Sequence, residues 1–489
     1  MMGFNDACSL LRDVARRYPE HEAYVEPGRR LTFAQWDRAA DGVAAVFLEA
    51  GVLPGDVVAL YMPSSVDYAI CYQAAMRVRA ITTGINMRLG PAEVASILAR
   101  TEPRVLVRAD GAVIDGETAI VFERSSLAAA EARVPVPLPQ PEAHDPVAIV
   151  WTSGTTGMPK GAVFDHANLR AVAIGACELG APFDRRISPL PFAHVAYMSR
   201  PWEEIDKVIT TVIPPTPWKA GDMLELMARE RVTVGQGVPT QWRLVLDHPD
   251  FDATDLSALR IAGTGAATVP PDLVREMQRR LGCPVVIGYT STEAAITTGT
   301  RPGDSPEVVA ATVGRPRVNV ELEVVDDAGR PVPVGVIGRV RCRSGAVMRG
   351  YWRDDARTRE VLDDDGWLWT GDLGRLDEHG YLTLVGRKSE MYIRGGYNVY
   401  PAEVERVLGA HPDVAQVAVV GMPDTVLGEI GVAYVVAAPG VVPHLEELRA
   451  HCERTLADYK SPDRLVVVDA LPLTSMGKID KRALATRSR

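Results

Sequence analysis

"VAIVWTSGTTGMPKGAV", residues 147–163, runs from an apolar stretch straight into hydroxyls, glycines and one lysine. The apolar part reads as a buried strand bounded by turn signals. The polar part, from Thr152 onward, has the chemistry of a loop that holds phosphate. Glycines let backbone amides approach an anion closely, the hydroxyls donate further hydrogen bonds, and Lys160 adds a compact positive charge. A surface turn rich in small polar residues would carry the same composition, so the loop alone leaves both readings open. It is not the nucleotide loop of P-loop enzymes. That loop needs Gly-Lys-Ser/Thr at the mouth of a helix, whereas Lys160 is followed by Gly-Ala-Val.

Around this stretch, the first half of the chain alternates helical and strand-like periods. "TFAQWDRAADGVAAVFLEAG" (32–51) has apolar residues at helical spacing and ends on glycine, and "DVVALYM" (56–62) reads as a buried strand. "SVDYAICYQAAMRVRA" (65–80) is a second helix and "RVLVRA" (104–109) a second strand. Such alternation predicts an α/β architecture with largely parallel sheets. The proline-rich "RVPVPLPQPEAHDP" (133–146) reads as an extended approach to the loop. Beyond residue 319 the pattern changes. "NVELEVVDDAGRPVPVGVIGRVRCR" (319–343) and "GWLWTGDLGRLDEHGYLTLVGR" (366–387) alternate apolar and polar residues around Gly/Pro turns, as hairpins do. Two helix–strand pairs come next, "YPAEVERVLGAH" with "VAQVAVVGM" and "LEELRAHCERTL" with "RLVVVD". They predict a small α+β unit. The expected division is a large, multi-subdomain α/β domain over 1–387 and a small, mobile α+β domain over 388–489.

With 489 residues the chain exceeds what one hydrophobic core usually supports. No apolar run reaches the roughly 18 residues of a membrane span, and the N-terminus lacks the basic start and apolar centre of a signal peptide. A cytoplasmic protein is the expectation. The net charge of −10 argues against a nucleic-acid partner. The six cysteines are scattered without metal-type spacing and read as buried or free thiols. There are seven lysines against 46 arginines, which draws attention to Lys160 and Lys478.

The loop "TSGTTGMPKG" (152–161) resembles the signature of the adenylate-forming superfamily of acyl-CoA synthetases, aryl-CoA ligases, luciferases and peptide-synthetase adenylation domains. Further motifs of that family occur in the expected order over nearly the whole chain. The resemblance implies that Thr152, Ser153, Gly154, Thr155, Thr156, Gly157 and Lys160 grip the β- and γ-phosphates of ATP. "PLPFAHVAYM" (189–198) is similar to the motif bordering the acyl pocket, which assigns His194 a gating role there and places Val195 and Met198 in the pocket. "IAGTGAATVP" (261–270) resembles the strand and loop at the adenine and acyl group: Gly263 lines the acyl pocket, and Gly265, Ala266 and Ala267 let a flat ring lie against them.

"GYTSTEA" (288–294) resembles the family's Y-G-x-T-E motif. Tyr289 offers a ring to stack on adenine, Thr292 a hydroxyl for phosphate, and Glu293 a carboxylate for Mg²⁺. Thr290 stands where glycine is most common in the family. A β-branched side chain there is expected to narrow the acyl channel. Asp372, in "WLWTGDLG", can accept both ribose hydroxyls, and Arg387 can reach the ribose or phosphate. The family hinge falls at Lys388 and Ser389. In "RGGYN" (394–398), Gly395 and Gly396 match the loop that lines the coenzyme A tunnel, and "LPLTSMGKIDKRAL" (471–484) matches the catalytic-lysine motif, with Lys478 the lysine.

The function implied is an ATP-dependent carboxylic acid–CoA ligase with Mg²⁺ as cofactor. A fatty or aryl acid is adenylated with release of pyrophosphate, and the acyl group then passes to coenzyme A with release of AMP. Peptide-synthetase domains place an aspartate just after the "PF-x-x" region, where this chain has His194-Val195-Ala196-Tyr197, so an amino-acid substrate is not expected. "CRSGAVMRGYWRD" (342–354) runs on without the insertion of fatty-acyl-AMP ligases. Loading of a carrier protein stays open as the alternative, as does a homodimer. A catalytically dead relative would have lost Glu293, Asp372, Arg387 or Lys478, and all four are present. "MSRPWEEIDKVITTVIPPTPW" (198–218) departs most from the family pattern. Its Arg200, Glu203, Glu204 and Asp206 are expected on a solvated helix face rather than at a polar substrate.

Overall fold

The apolar run before the loop becomes the strand Pro146–Thr152, and the chain returns antiparallel along Lys160–Asp165 with Thr152 opposite Lys160. The loop therefore joins two strands instead of opening a helix, which is why the Gly-Lys-Ser/Thr arrangement is not needed here. The computed structural model describes residues 3–114, 119–133, 136–152, 159–265, 269–474 and 479–487.

Pro146–Thr152 lies in a sheet whose strands Ile81–Gly84, Val57–Tyr61, Val105–Arg108 and Ile120–Glu123 all run parallel in that order away from it. Gly350–Tyr351 closes the other edge against Lys160–Asp165. A second sheet runs Val285–Ser291, Ile261–Gly265, Val234–Gly237, Arg185–Ile187, Thr210–Val212 and Glu22–Glu26, again parallel. Its edges are antiparallel: Ala295–Gly299 with Arg315–Pro316 on one side and Arg29–Thr32 on the other. The predicted α/β class holds.

The helix Phe33–Glu49 starts where the sequence signals it. Thr32 Oγ1 accepts from Gln35 N at 3.3 Å while Thr32 N donates to Gln35 Oε1 at 2.8 Å, a capping box. Phe33, Trp36, Val43 and Phe47 turn inward, and Trp36 Nε1 donates to Ala69 O of the next helix at 3.2 Å. That helix, Val66–Arg77, is buried along its whole length, because it is covered on both sides. Its Arg77 is tolerated there only as the partner of Asp37 and Asp41.

The hairpin pattern after residue 319 forms an antiparallel sheet of Glu321–Val325, Gly338–Arg343, Leu368–Leu376 and Leu382–Arg387. Past it, Val414–Asp424 and Gly428–Ala437 pair antiparallel, with Arg464–Val467 parallel on Gly428–Ala437 and the hairpin Tyr392–Arg394/Tyr397–Val399 beyond. The helices Pro401–Leu408, with proline in its first turn, and Leu445–Glu453 cover one face. Among the described residues no helix is long and apolar enough to cross a membrane. Cys8, Cys71, Cys283, Cys342 and Cys452 are buried free thiols, and burial pushes Cys8 and Cys342 up to about 12.

Candidate active site

The predicted residues that the structure brings together form two clusters. The first stands at the foot of the loop. Lys160 Nζ lies over the Tyr351 ring, 5.2 Å from its centre, and the Tyr351 hydroxyl donates to Glu293 Oε1 at 2.8 Å. The backbone fixes this geometry. Tyr351 pairs with Ala162 on the strand that begins at Lys160, and Met348 N donates to Glu293 O at 2.8 Å. On the other side, Arg100 Nη1 donates to Pro159 O at 2.6 Å, and its guanidinium lies 5.0 Å from the Trp151 ring. Trp151 Nε1 is in turn held by Thr83 Oγ1 at 2.8 Å. Both ends of the loop are thus anchored. Burial, then the Glu293 charge, raises the pKa of Tyr351, so the phenol stays a neutral donor.

The second cluster is built on Asp372, whose strand puts it directly opposite Arg387. Arg387 Nε lies 3.3 Å from Asp372 Oδ1, and the Tyr289 hydroxyl donates to Asp372 Oδ2. Asp372 is only 8 % exposed. Burial raises its pKa above the ordinary carboxylate range, while Arg387 and the Tyr289 hydrogen bond pull the other way. The Tyr289 ring packs with Val324, Val340 and Leu382. Ile261–Gly265 and Val285–Ser291 lie so close that a Cβ on Gly265 would stand 2.5 Å from Gly288 O. Glycine is obligatory there. Thr290, Thr292 and Glu293 are half-buried where Val285–Ser291 gives out, with a bulge between Tyr289 and Thr290.

His194 is half-buried and caps the one-turn helix Val195–Met198, its Nδ1 accepting from Ala196 N at 3.3 Å. Val195 and Met198 are buried in the main core; Tyr72 donates to Met198 O at 2.6 Å. Gly263 O accepts from Trp242 Nε1 at 3.0 Å, and a Cβ on Gly263 would lie 3.1 Å from Leu179. Lys388 and Ser389 form an exposed turn directly after the Arg387 strand, with Lys388 Nζ on Asp327 at 2.7 Å. Gly395 and Gly396, at φ +56° and +88°, make an exposed hairpin turn tied to Leu427 O, apart from both clusters. Ser153, Gly154, Thr155, Thr156, Gly157, Ala266, Ala267 and Lys478 lie outside the described residues.

With the site in view, the family description "AMP-binding enzyme" matches residues 11–352, and "AMP-binding enzyme C-terminal domain" matches residues 403–478. The chain belongs to the adenylate-forming superfamily. It is an AMP-forming acid–CoA ligase, an acyl-CoA synthetase in type. Among similar proteins, the Mycobacterium tuberculosis 3-[(3aS,4S,7aS)-7a-methyl-1,5-dioxo-octahydro-1H-inden-4-yl]propanoyl:CoA ligase is 35% identical, covering 97% of each chain. The indoleacetate–CoA ligase of Aromatoleum aromaticum is 34% identical over 95% of this chain and 94% of its own. The anthranilate CoA ligase AuaEII, solved with anthranoyl-AMP, superposes with a TM-score of 0.90 at 27% identity, covering 99% of this chain and 97% of that one.

In this adenylate-forming enzyme two features depart from what the sequence announced. Tyr351, which links Lys160 to Glu293, was not among the expected site residues. Its signal was the tyrosine in "MRGYW", legible only once the strand Gly350–Tyr351 is known to border the loop. The second departure corrects the segment after His194. Arg200 and the helix Pro201–Asp206 do not present a solvated charged face: Glu203 is 0 % and Glu204 4 % exposed, and the Arg200 side chain is 11 % exposed. Asp206 alone of the helix residues is half-buried. Trp202 and Ile205 draw the helix inward, and Arg186, from the strand Arg185–Ile187, supplies the counter-charge. Its Nη2 lies 3.0 Å from Glu203 Oε1 and its Nη1 3.8 Å from Glu204 Oε1.

Proposed function

We propose that the two clusters divide the work on ATP, with residues 152–160 and Glu293 at the phosphates and Asp372 with Arg387 at the ribose. The observation that carries this division is the Lys160–Tyr351–Glu293 relay, in which a cation and a carboxylate from two distant motifs converge on one phenol at the foot of the loop. Tyr289 keeps the Asp372 carboxylate oriented and ionised so that it accepts the ribose hydroxyls. Gly265, Ala266 and Ala267 border the adenine.

Glu293 suits Mg²⁺. Its bond to Tyr351 takes up only Oε1, and among the described residues no group of three or more His, Cys, Asp or Glu stands ready to cage a metal. One carboxylate, with substrate phosphates and water completing the shell, is a usual mode of Mg²⁺ binding. When bound there, Mg²⁺ would neutralise charge on the phosphate oxygens.

A carboxylate oxygen of the acid attacks the α-phosphorus, the bond to the β-phosphate oxygen breaks, and pyrophosphate leaves. The acid is already nucleophilic, so positioning and charge neutralisation supply the catalysis. Lys478 stabilises negative charge on the acid and α-phosphate. The small domain, residues 388–489, then turns about Lys388 and Ser389 and exchanges Lys478 for the Gly395–Gly396 turn. Coenzyme A, as thiolate, attacks the acyl carbon, and AMP departs. His194, Val195, Met198, Gly263 and Thr290 surround the acyl group. The names of relatives span aryl, polycyclic and fatty acids, which supports an acid with a sizeable apolar body. No observation favours a carrier protein as acceptor.

The test is pyrophosphate release across a panel of aliphatic, aryl and dicarboxylic acids, with and without coenzyme A. One class is expected to give pyrophosphate, AMP and acyl-CoA in equal amounts. Formation of ADP and inorganic phosphate, or thioester formation only on a carrier protein, would refute the assignment.

A further inference from the structure

The segment following His194 ends in a buried charge cluster that the adenylation chemistry does not use. Arg186, Arg200, Lys207 and Arg317 bring positive charge; Glu203, Glu204 and Glu178 bring negative charge. Several polar atoms in it lack hydrogen-bond partners among the described residues: Arg200 Nη1, Arg186 Nε and Nη1, and Glu203 Oε2. Arg200 Nη1 comes no nearer to a carboxylate than 3.9 Å, at Glu203 Oε2. Buried unpaired groups cost stability. So many in one place call for a molecule that completes them.

The cluster borders the immediate neighbours of each element assigned to the acyl pocket. Arg200 follows directly on the helix that His194 caps, its N donating to Tyr197 O at 2.8 Å. Glu203 packs on Gly180, where a Cβ would meet Oε1 at 2.1 Å, and the adjoining Leu179 packs on Gly263. Arg317 is held by Glu178 at 2.7 Å and lies against Gly299, on the strand paired with that of Thr290. Chain neighbours and strand partners of pocket residues from three separate motifs therefore border the same buried charge cluster.

We propose that Arg200 is a specificity-determining residue at the far end of the acyl pocket, where its guanidinium holds a second oxygen acceptor of the substrate acid, a carbonyl or a carboxylate distant from the carboxyl group that is activated. This rests on the acid–CoA ligase reading and narrows its substrate class. An arginine presents several N–H donors in a planar fork, suited to sp² oxygen. Charge points the same way. Burial lifts Glu204 up to about 7, so part of its negative charge is absent at neutral pH, while Arg186, despite burial held above the ordinary arginine value by Glu203 and Glu204, stays cationic beside it. Burial also pulls Arg200 below the ordinary arginine value, the mark of a cation short of partners.

The experiment uses the full-length enzyme and three acids of matched length: an unsubstituted carboxylic acid, the same acid with a distal ketone, and the corresponding dicarboxylic acid. Pyrophosphate release gives kcat/KM for each. The native enzyme is expected to favour one oxygen-bearing acid over the unsubstituted one by at least about tenfold, and which one wins identifies the acceptor. Arg200→Gln is expected to collapse that ratio through KM of the acid, with KM for ATP unmoved, and Arg200→Lys to restore part of it. A native preference for the unsubstituted acid, or an equal loss on all three acids in Arg200→Gln, overturns the proposal. If Arg200→Gln fails to fold, the native ranking and Arg200→Lys decide it. Absence of pyrophosphate release with every acid would instead strike the ligase reading itself.

Discussion

Tyr289→Phe tests whether the Tyr289–Asp372 contact is functional. The substitution keeps the ring packed on Val324, Val340 and Leu382 but removes the hydroxyl that donates to Asp372 Oδ2. Asp372 is buried, and burial already raises its pKa; the tyrosine is one of two groups opposing that rise. A hydrogen bond to a charged group contributes about 1.5–3 kcal/mol, and one pKa unit corresponds to about 1.4 kcal/mol. Losing the donor should therefore raise the Asp372 pKa further, because the ionised form alone loses that stabilisation. The sign is then fixed. Only the ionised carboxylate accepts both ribose hydroxyls, so the acid limb of kcat/KM for ATP should move to higher pH. The KM for ATP should rise about 10–100-fold below the new pKa and approach the native value well above it. The assay is pyrophosphate release at varied ATP from pH 5.5 to 9, with melting curves to show that the fold is intact. An acid limb that does not move in a folded Tyr289→Phe enzyme would refute the role given to Asp372, because no rearrangement of the ribose contact would leave that titration untouched.

Three further outcomes are expected. Lys478→Ala should cripple adenylation while sparing acyl transfer to coenzyme A from supplied acyl-adenylate, measured by thioester formation; equal loss of both steps would count against rotation of the small domain. Thr290→Gly should widen the range of accepted chain or ring sizes in a pyrophosphate assay, and an unchanged profile would remove Thr290 from the pocket. Gly314→Ala should lower the unfolding free energy by about 3 kcal/mol or more from left-handed backbone and steric terms together, read as a lower midpoint in a urea titration. Gly314 has φ +82°, and its added Cβ would lie 1.9 Å from Gly299 C. A native-like midpoint would show that the two strands can part at little cost.

What could be read in the sequence was whatever a local window contains. The parallel sheets follow from apolar runs alternating with helical periods, and the Thr32 capping box marks its helix before any fold is known. The pairing of Asp372 with Arg387 was legible as two motifs but not as a contact, because their register depends on a bulge between Leu373 and Gly374. Tyr351 is a harder case. Its function depends on pairing with a strand some 190 residues earlier in the chain, and no local pattern in "MRGYW" announces such a partner.

The helix Pro201–Asp206 shows where such reading fails and why the failure is informative. A window holding Arg200, Glu203, Glu204, Asp206 and Lys207 has the charge of a solvated surface, since such residues are almost never buried unless paired. Pairing is a property of the fold. Arg186 reaches this helix from the strand Arg185–Ile187, and Tyr24 donates to Glu204 Oε2 at 3.4 Å from the far side. Once buried, the cluster is a liability unless each charge is satisfied, because replacing buried ion pairs by apolar residues is often neutral or stabilising. Trp202 and Ile205 show that the site already accepts large apolar side chains. Retaining two arginines and two glutamates there, with Arg200 Nη1 and Glu203 Oε2 facing each other at 3.9 Å and neither hydrogen-bonded among the described residues, carries a stability cost that a purely structural role does not offset. Substrate recognition would repay it, and it makes the segment most unlike the family the one that sets which acid this enzyme activates.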